Sequence, residues 1–330
     1  MYDKNLKNSS AMVKIIAFIF FTGAIAFTLM QKPKMSKELE EYFRETSFKT
    51  IGGTLAETGY SCLSINDGFV ATGDSSSFGA GGKDVYLVKT DLEGNMLWSR
   101  TYGDTGNETG VGLCASNEGG FIIAGGTTSY GSGETDAYLI KTDAEGNIIW
   151  DFPYGGPNYD YIYSVCASID KKGYLACGYS SSYNGRKDSD AYLLKVSEDG
   201  KKEWEKTYGG ESWDIFYSIN PVKGGYCLAG YTSSSGAGRT DIYVIKVDSK
   251  GDCVWAKTYG AERDDRATYA LETKDGGLVI AGKSGSYTAR GFGWDMLLIK
   301  ADSRGNSLWT VVLPAVETDA GNCIYETATG

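Results

Sequence analysis

Apolar and polar positions repeat along residues 47–330 with a period near fifty. "DVYLVKTDLEGNMLWSRTYG" begins at Asp84, "DAYLIKTDAEGNIIWDFPYG" at Asp136 and "DIYVIKVDSKGDCVWAKTYG" at Asp241. The leading Asp recurs as Asp84, Asp136, Asp190, Asp241 and Asp295. A Trp follows fourteen residues later each time, as Trp98, Trp150, Trp204, Trp255 and Trp309. Both series advance by 52, 54, 51 and 54 residues. Such a period predicts one solenoid or propeller rather than separate domains.

Each repeat divides into four strand-like pieces, which in the second repeat read "VGLCAS", "FIIAGGTTS", "DAYLIKTD" and "NIIWDFPYG". The third piece is apolar on both faces, as in a strand covered on both sides. D-x-x-G-N or a relative joins it to the fourth, a tight turn in which Gly supplies positive φ. Four strands running up and down make a propeller blade. Ala124-Gly125, Cys177-Gly178, Ala229-Gly230 and Ala281-Gly282 put small residues in the second strand, where blades are expected to converge toward an axis. The Trp is expected on the outer strand, as a wedge docking blade to blade. The leading Asp is expected to accept the hydrogen bonds that hold the loop entering the third strand. The predicted fold is all-β, a β-propeller of four-stranded blades. Five complete repeats run over 57–103, 108–155, 160–209, 214–260 and 266–313. "GNCIYETATG" at the C-terminus resembles a sixth first strand, and "SFKTIGG" at Ser47 a fourth strand without its Trp. Three arrangements fit this remainder: a truncated sixth blade, a five-bladed ring with extra edges, and a sixth blade completed by a partner.

"LVKTDLEGNMLW" and "LIKTDAEGNIIW" resemble the Trp-docking hairpin of quinoprotein-type propellers. The longer phrase W-x-K-T-Y-G-G…D…D-G-G-Y…A-G is similar to repeat propellers on bacterial and archaeal cell surfaces. The resemblance covers residues 47–330 and implies architecture. It implies no activity, since propellers host many, and no quinone-ligand set can be matched.

Composition narrows the chemistry. Gly makes up 45 of 330 residues and Tyr 24, which suits short strands and tight turns. There is no His, so a Ser-His-Asp or Cys-His mechanism cannot be built from this chain alone. The net charge of −10 disfavours nucleic acid as a partner. Seven Cys occur without a C-x-x-C pair. Cys62, Cys114 and Cys166 fall at one place in successive repeats, with Cys323 near it in the last. Small buried apolar side chains are the expectation, and a thiolate metal ring the alternative.

Residues 1–30 carry an export signal or a membrane anchor. Ile15 to Met30 is uncharged and follows Lys4, Lys7 and Lys14. As a helix it would extend roughly 24 Å, short of a bilayer core of about 30 Å. Ala24-Ile25-Ala26 matches a signal-peptidase site, yet the apolar run continues past it. Either reading places the remainder outside the cytoplasm, secreted or anchored. Residues 31–46 read as a polar stalk before the propeller at 47–330.

Three groups of side chains are candidates for function. An acidic residue opens each first strand: Glu57, Glu108, Asp160, Asp214, Asp265 and, in the partial repeat, Asp319. These either form a ring that holds a cation, with calcium favoured, or cap their own loops. The loops between second and third strands differ from one another and carry Tyr130, Tyr183, Tyr287, Phe292 and Trp294, which could stack on a sugar or a peptide. Asp264 and Asp265 in "ERDDR", with Asp214, are the candidates for paired-carboxylate catalysis. Two functions follow. The first is a non-catalytic extracytoplasmic propeller that binds a protein or glycan at the cell surface. The second is a carbohydrate-active enzyme of the glycoside hydrolase type.

Overall fold

The computed structural model describes residues 49–326 apart from 184, 186–187, 289–291 and 314–318. The expected signal or anchor at 1–30 and the expected stalk at 31–46 lie outside the described residues. Among the described residues no helix is long and apolar enough to cross a membrane.

The period becomes five antiparallel sheets of four strands, each in sequence order. Blade 1 holds β1 (Glu57–Ile65), β2 (Gly68–Ser75), β3 (Asp84–Thr90) and β4 (Met96–Tyr102). Blade 2 holds β5 (Glu108–Ala115), β6 (Phe121–Thr127), β7 (Asp136–Thr142) and β8 (Ile148–Tyr154). Blade 3 holds β9 (Asp160–Ala167), β10 (Gly173–Ser180), β11 (Asp190–Ser197) and β12 (Lys202–Tyr208). Blade 4 holds β13 (Asp214–Val222), β14 (Gly225–Thr232), β15 (Asp241–Val247) and β16 (Cys253–Tyr259). Blade 5 holds β17 (Asp265–Glu272), β18 (Leu278–Ser284), β19 (Asp295–Ala301) and β20 (Ser307–Leu313). First strands touch first strands from blade to blade, so they are innermost. This is the expected β-propeller.

The core lies between blades. Val85 and Leu87 of blade 1 pack with Ile123 and Ile140 of blade 2. Ile122 and Leu139 meet Ile162 and Leu194. Leu175 and Leu193 meet Leu228 and Ile245. Val244 meets Ile280 and Leu297. A third strand is therefore apolar on both faces because each face belongs to a different junction. Four of the five Trp of the series close such junctions. Trp98, Trp150, Trp204 and Trp255 lie against the turn glycines Gly146, Gly200, Gly251 and Gly305 of the following blade, so close that a Cβ there would stand 2.8–3.0 Å from the indole. Four residues after each of these four Trp, a tyrosine hydroxyl donates to the carbonyl of the same glycine. These bonds are Tyr102 to Gly146 at 2.7 Å, Tyr154 to Gly200 at 2.5 Å, Tyr208 to Gly251 at 2.6 Å and Tyr259 to Gly305 at 2.7 Å.

Three expectations change. The small residues of the second strand answer a local need rather than convergence at the axis. Every first strand carries a β-bulge at Tyr60, Val111, Tyr163, Tyr217 or Thr268. The bulge presses the backbone onto Gly73, Gly125, Gly178, Gly230 and Gly282, where a Cβ would stand only 1.7–2.1 Å from a carbonyl oxygen of the first strand. The cysteines also divide. Cys166 is buried and Cys114 partly so, but Cys62 and Cys323 are exposed, because no complete blade covers their side. Finally, neither 49–53 nor 319–326 forms a strand. Residues 319–326 nonetheless follow the first-strand path. The Asp319 N–H donates to the Trp294 carbonyl at 2.8 Å, as those of Glu108, Asp160, Asp214 and Asp265 donate to Lys83, Thr135, Ser189 and Thr240. Gly321 N–H then donates to the Gly282 carbonyl at 3.1 Å.

Candidate functional site

The acids that open the first strands turn into their own loops. Asp160 Oδ2 accepts from Gly156 N–H at 2.8 Å and from the Ser182 hydroxyl at 2.6 Å. Asp214 Oδ2 accepts from Gly210 N–H at 2.9 Å and Ser234 at 2.7 Å. Asp265 accepts from Ala261 N–H at 3.0 Å, from Ser286 at 2.6 Å and from Ser284. Glu108 takes Asp104 N–H and the Thr127 hydroxyl, and Glu57 takes Gly53 N–H and the Ser75 hydroxyl. Asp160 Oδ1, Asp214 Oδ1 and Asp319 Oδ2 are each buried without a hydrogen-bond partner among the described residues. Those residues contain no group of three or more Cys, Asp or Glu arranged to hold a metal.

The Asp that opens each third strand does similar work. Asp84, Asp136 and Asp241 accept from the N–H of Gly81, Gly133 and Gly238 at 3.0, 2.9 and 2.8 Å. Asp190 and Asp295 open β11 and β19 at the equivalent positions. The two acid series meet at the junctions. Asp84 and Glu108 flank Gly103, and Asp241 and Asp265 flank Gly260. Burial, and then the neighbouring Asp265, hold the Asp241 carboxyl above its ordinary range. Burial and Asp160 do the same to Asp136. The structure thus pairs Asp265 with Asp241 rather than with Asp214. Asp264 accepts from the Thr240 hydroxyl at 3.1 Å.

The loop aromatics do not form one cluster. Tyr130 folds back on Tyr138 of its own blade, with ring centroids 5.7 Å apart, and Tyr183 on Tyr192 at 5.9 Å. Tyr287 donates to the Gly260 carbonyl at 3.3 Å, and Phe292 is exposed. Trp294 alone reaches a different environment, near the axis.

That environment arises where the repeats stop being alike. The second residue of each first strand pairs in register with a residue of the second strand. The pairs are Thr58 with Asp74, Thr109 with Gly126, Tyr161 with Tyr179, Ile215 with Tyr231, and Arg266 with Lys283. The neighbouring bulge adds Tyr60, Tyr163 and Tyr217. Rings then run on from blade to blade. Tyr161 stacks on Tyr179 at 6.1 Å and 15°, Tyr163 meets Tyr217 edge-on at 4.9 Å, and Tyr217 lies 6.0 Å from Tyr231. Gly126 makes this possible, because a Cβ there would stand 2.5 Å from the Tyr161 ring.

The run ends in two cations. The Arg266 guanidinium lies 4.4 Å from the centre of the Tyr231 ring and 5.7 Å from that of Trp294. The Lys283 ammonium lies 4.6 Å from the Trp294 ring. Burial, and then the charge of Arg266, pull the Lys283 ammonium below its ordinary range. Burial raises the Tyr161 and Tyr217 hydroxyls to about 12, so both stay protonated as donors. On blade 1, near the Tyr161 end of the run, the sign reverses. Buried Asp74 accepts from Tyr60 at 3.1 Å and pairs with Lys83 at 3.4 Å. The surface can stack flat groups and present charge at both ends. Sequence reasoning found Trp294 and missed Arg266, Lys283 and the tyrosines. The available signal was "ERDDR" itself, whose departure from the repeat matters through its final Arg.

No family model matches the chain. Over 139 aligned residues, 36% of this chain, it is 27% identical to the regulatory protein FlaEY of Caulobacter vibrioides, a match that spans 15% of that protein. Among solved structures it is similar to the WD40 domain of Neurospora crassa Pan2, with 9% identity and a TM-score of 0.50 over 78% of this chain and 66% of that one. It is also similar to Sqt1 from Chaetomium thermophilum, with 9% identity and a TM-score of 0.47 over 81% and 63% of the two chains. In each case the match spans less than two thirds of the other chain. At such identity the likeness is one of fold, the β-propeller, and of fold alone.

Proposed function

We propose that this chain is a non-catalytic binding propeller that works outside the cytoplasm and engages a protein or glycan at the cell surface through its axial aromatic surface. One observation carries the reading. The Asp, Gly and Trp positions repeat from blade to blade, whereas the second position of the first strand changes from Thr to Tyr, Ile and Arg beside a run of tyrosine rings. Departure from symmetry on a rigid, repeated scaffold is how a binding surface is made without disturbing the fold. Asp160, Asp214 and Asp265 each turn an oxygen to a backbone N–H of their own loop, which supports a structural rather than a catalytic role for them. Export rests on the charge-flanked apolar run Ile15 to Met30.

The full-length chain should bind members of a combined glycan and peptide array, and Tyr161→Ala with Tyr217→Ala should abolish that binding without unfolding the protein. Binding unchanged in the double variant would sink the assignment to the axial surface. A reporter active only outside the cytoplasm, fused after Arg44, should be active, and an inactive fusion would refute export.

A further inference from the structure

We propose that Arg266, Lys283 and Trp294 form a subsite for a carboxylate-bearing sugar, so that the ligand is an acidic glycan of the uronic-acid type. The proposal rests on the reading of the axial surface as the binding surface and gives that surface its ligand class.

Charge is the first argument. Arg266 and Lys283 stand directly opposite each other across β17 and β18, an unfavourable placement for like charges. The chain carries a net charge of −10, yet among the described residues no carboxylate forms an ion pair with either. Two adjacent cations that leave their charge uncompensated in a half-buried place are suited to an incoming anion.

Hydrogen bonding narrows the anion. Arg266 Nε is buried without a partner. With one terminal nitrogen, Nε makes the parallel fork that matches the two oxygens of a carboxylate. The guanidinium lies beside the Tyr231 and Trp294 rings and the Tyr217 hydroxyl, and Nε is the atom of its edge left for the ligand. Lys283 supplies a second, more flexible donor beside it.

The surroundings identify what bears the carboxylate. Beyond the cations lie ring faces tipped with hydroxyls that remain protonated. Such faces suit the C–H surfaces of saturated sugar rings, and their hydroxyls suit sugar hydroxyls. The stacked Tyr161–Tyr179 pair and the Tyr163–Tyr217 pair continue the platform for further units of a chain.

The test uses purified full-length protein and three probes: an oligogalacturonate, a neutral oligogalactoside of equal length and a polyglutamate peptide. Binding is read by calorimetry and by quenching of tryptophan emission. Oligogalacturonate should bind, and Arg266→Gln or Lys283→Gln should each weaken it by about tenfold or more, the size expected for a hydrogen bond to a charged group. Arg266→Lys keeps the charge but loses the fork. It should also weaken binding, at a melting temperature that shows the fold intact. Failure of the folded wild-type protein to bind oligogalacturonate overturns the proposal. So does equal binding of the neutral probe, or indifference to Arg266→Gln and Lys283→Gln. Equally tight polyglutamate binding shows carboxylate capture without sugar recognition and overturns it as well. If the charge variants are silent while Tyr217→Ala abolishes binding, the acidic subsite falls and the axial surface stands. If Tyr217→Ala is silent too, both fall.

Discussion

The junctions between successive blades and the two unmatched blade faces use the same residue types with different results. At the junction of blades 2 and 3, Trp150 is 8% exposed and its indole N–H donates to the Glu198 carbonyl at 2.9 Å. On the open face of blade 5, the equivalent Trp309 is 46% exposed. On the outer face of blade 1, the turn glycine Gly94 has Lys49 rather than an indole near it and borders a cavity of 570 Å³ between residues 49–52 and Phe78, Tyr86 and Met96. The tyrosine that clamps the turn of the next blade is replaced in β20 by Leu313. A Trp is thus a wedge only where a turn glycine meets it. The hairpin motif specifies half of a contact, and the next blade supplies the other half.

The comparison is broken most directly at the wedge. Trp150→Ala should cost about 3–5 kcal/mol in denaturant unfolding, the usual range for a buried Trp. Trp309→Ala should cost less than about 1 kcal/mol, as exposed substitutions do. Equal losses would show that the face of blade 5 is covered in solution. The clamp comes next. Tyr154→Phe leaves the Gly200 carbonyl without its donor and should cost about 1–3 kcal/mol, whereas Leu313→Ala should fall within about 1 kcal/mol of the parent.

A smaller, pH-dependent difference sharpens the contrast. Lys141 of blade 2 bonds Glu198 of blade 3 at 2.9 Å and Glu118 of its own blade at the same distance. Burial pushes the Glu198 carboxyl up, but hydrogen bonds from Asn117, Tyr174 and Lys141 outweigh it and hold the group below its ordinary value of 4.5. A depressed carboxyl contributes stability above its unfolded value, and that contribution is lost as pH falls through the folded value. Glu198→Gln should therefore flatten the loss of stability on acidification below about pH 4.5. The corresponding Lys300 pairs with Asp275 inside blade 5, where Asp275 is largely exposed. Asp275→Asn should flatten the curve less, because an exposed pair is screened by solvent. An equal effect would remove the distinction between junction and open face. Smallest of all is the expected response to calcium. The acid pairs at the junctions are occupied by their own loops, so calcium followed by chelator should leave the melting temperature unchanged. A reversible rise with calcium would show that these pairs hold the ion.

Much of the architecture was legible because it is local. Alternation and two-sided apolar strands place the strands, and Asp, Gly and Trp at fixed spacing place the hairpin. Turn and register are decided within a few residues of each other. The five blades accordingly begin and end within a residue or so of the sequence reading. The acids were legible as a series, but their direction was not. Whether Asp214 faces an axis or accepts from Gly210 and Ser234 depends on how the loop closes.

By itself, the sequence determined the number of complete blades, the identity of their strands and the recurrence of the Asp and Trp positions. These follow from short-range periodicity, which each repeat states independently. Tertiary structure alone decided which of the differing residues meet. Arg266 and Lys283 become neighbours through strand pairing, Trp294 joins them from a loop, and Tyr231 arrives from another blade. The bulge that turns Tyr163 toward Tyr217 leaves no mark of its own beyond a glycine in the partner strand. Convergence of this kind depends on the rotation from blade to blade and on the re-aiming of side chains at each bulge, and no repeat taken alone encodes either.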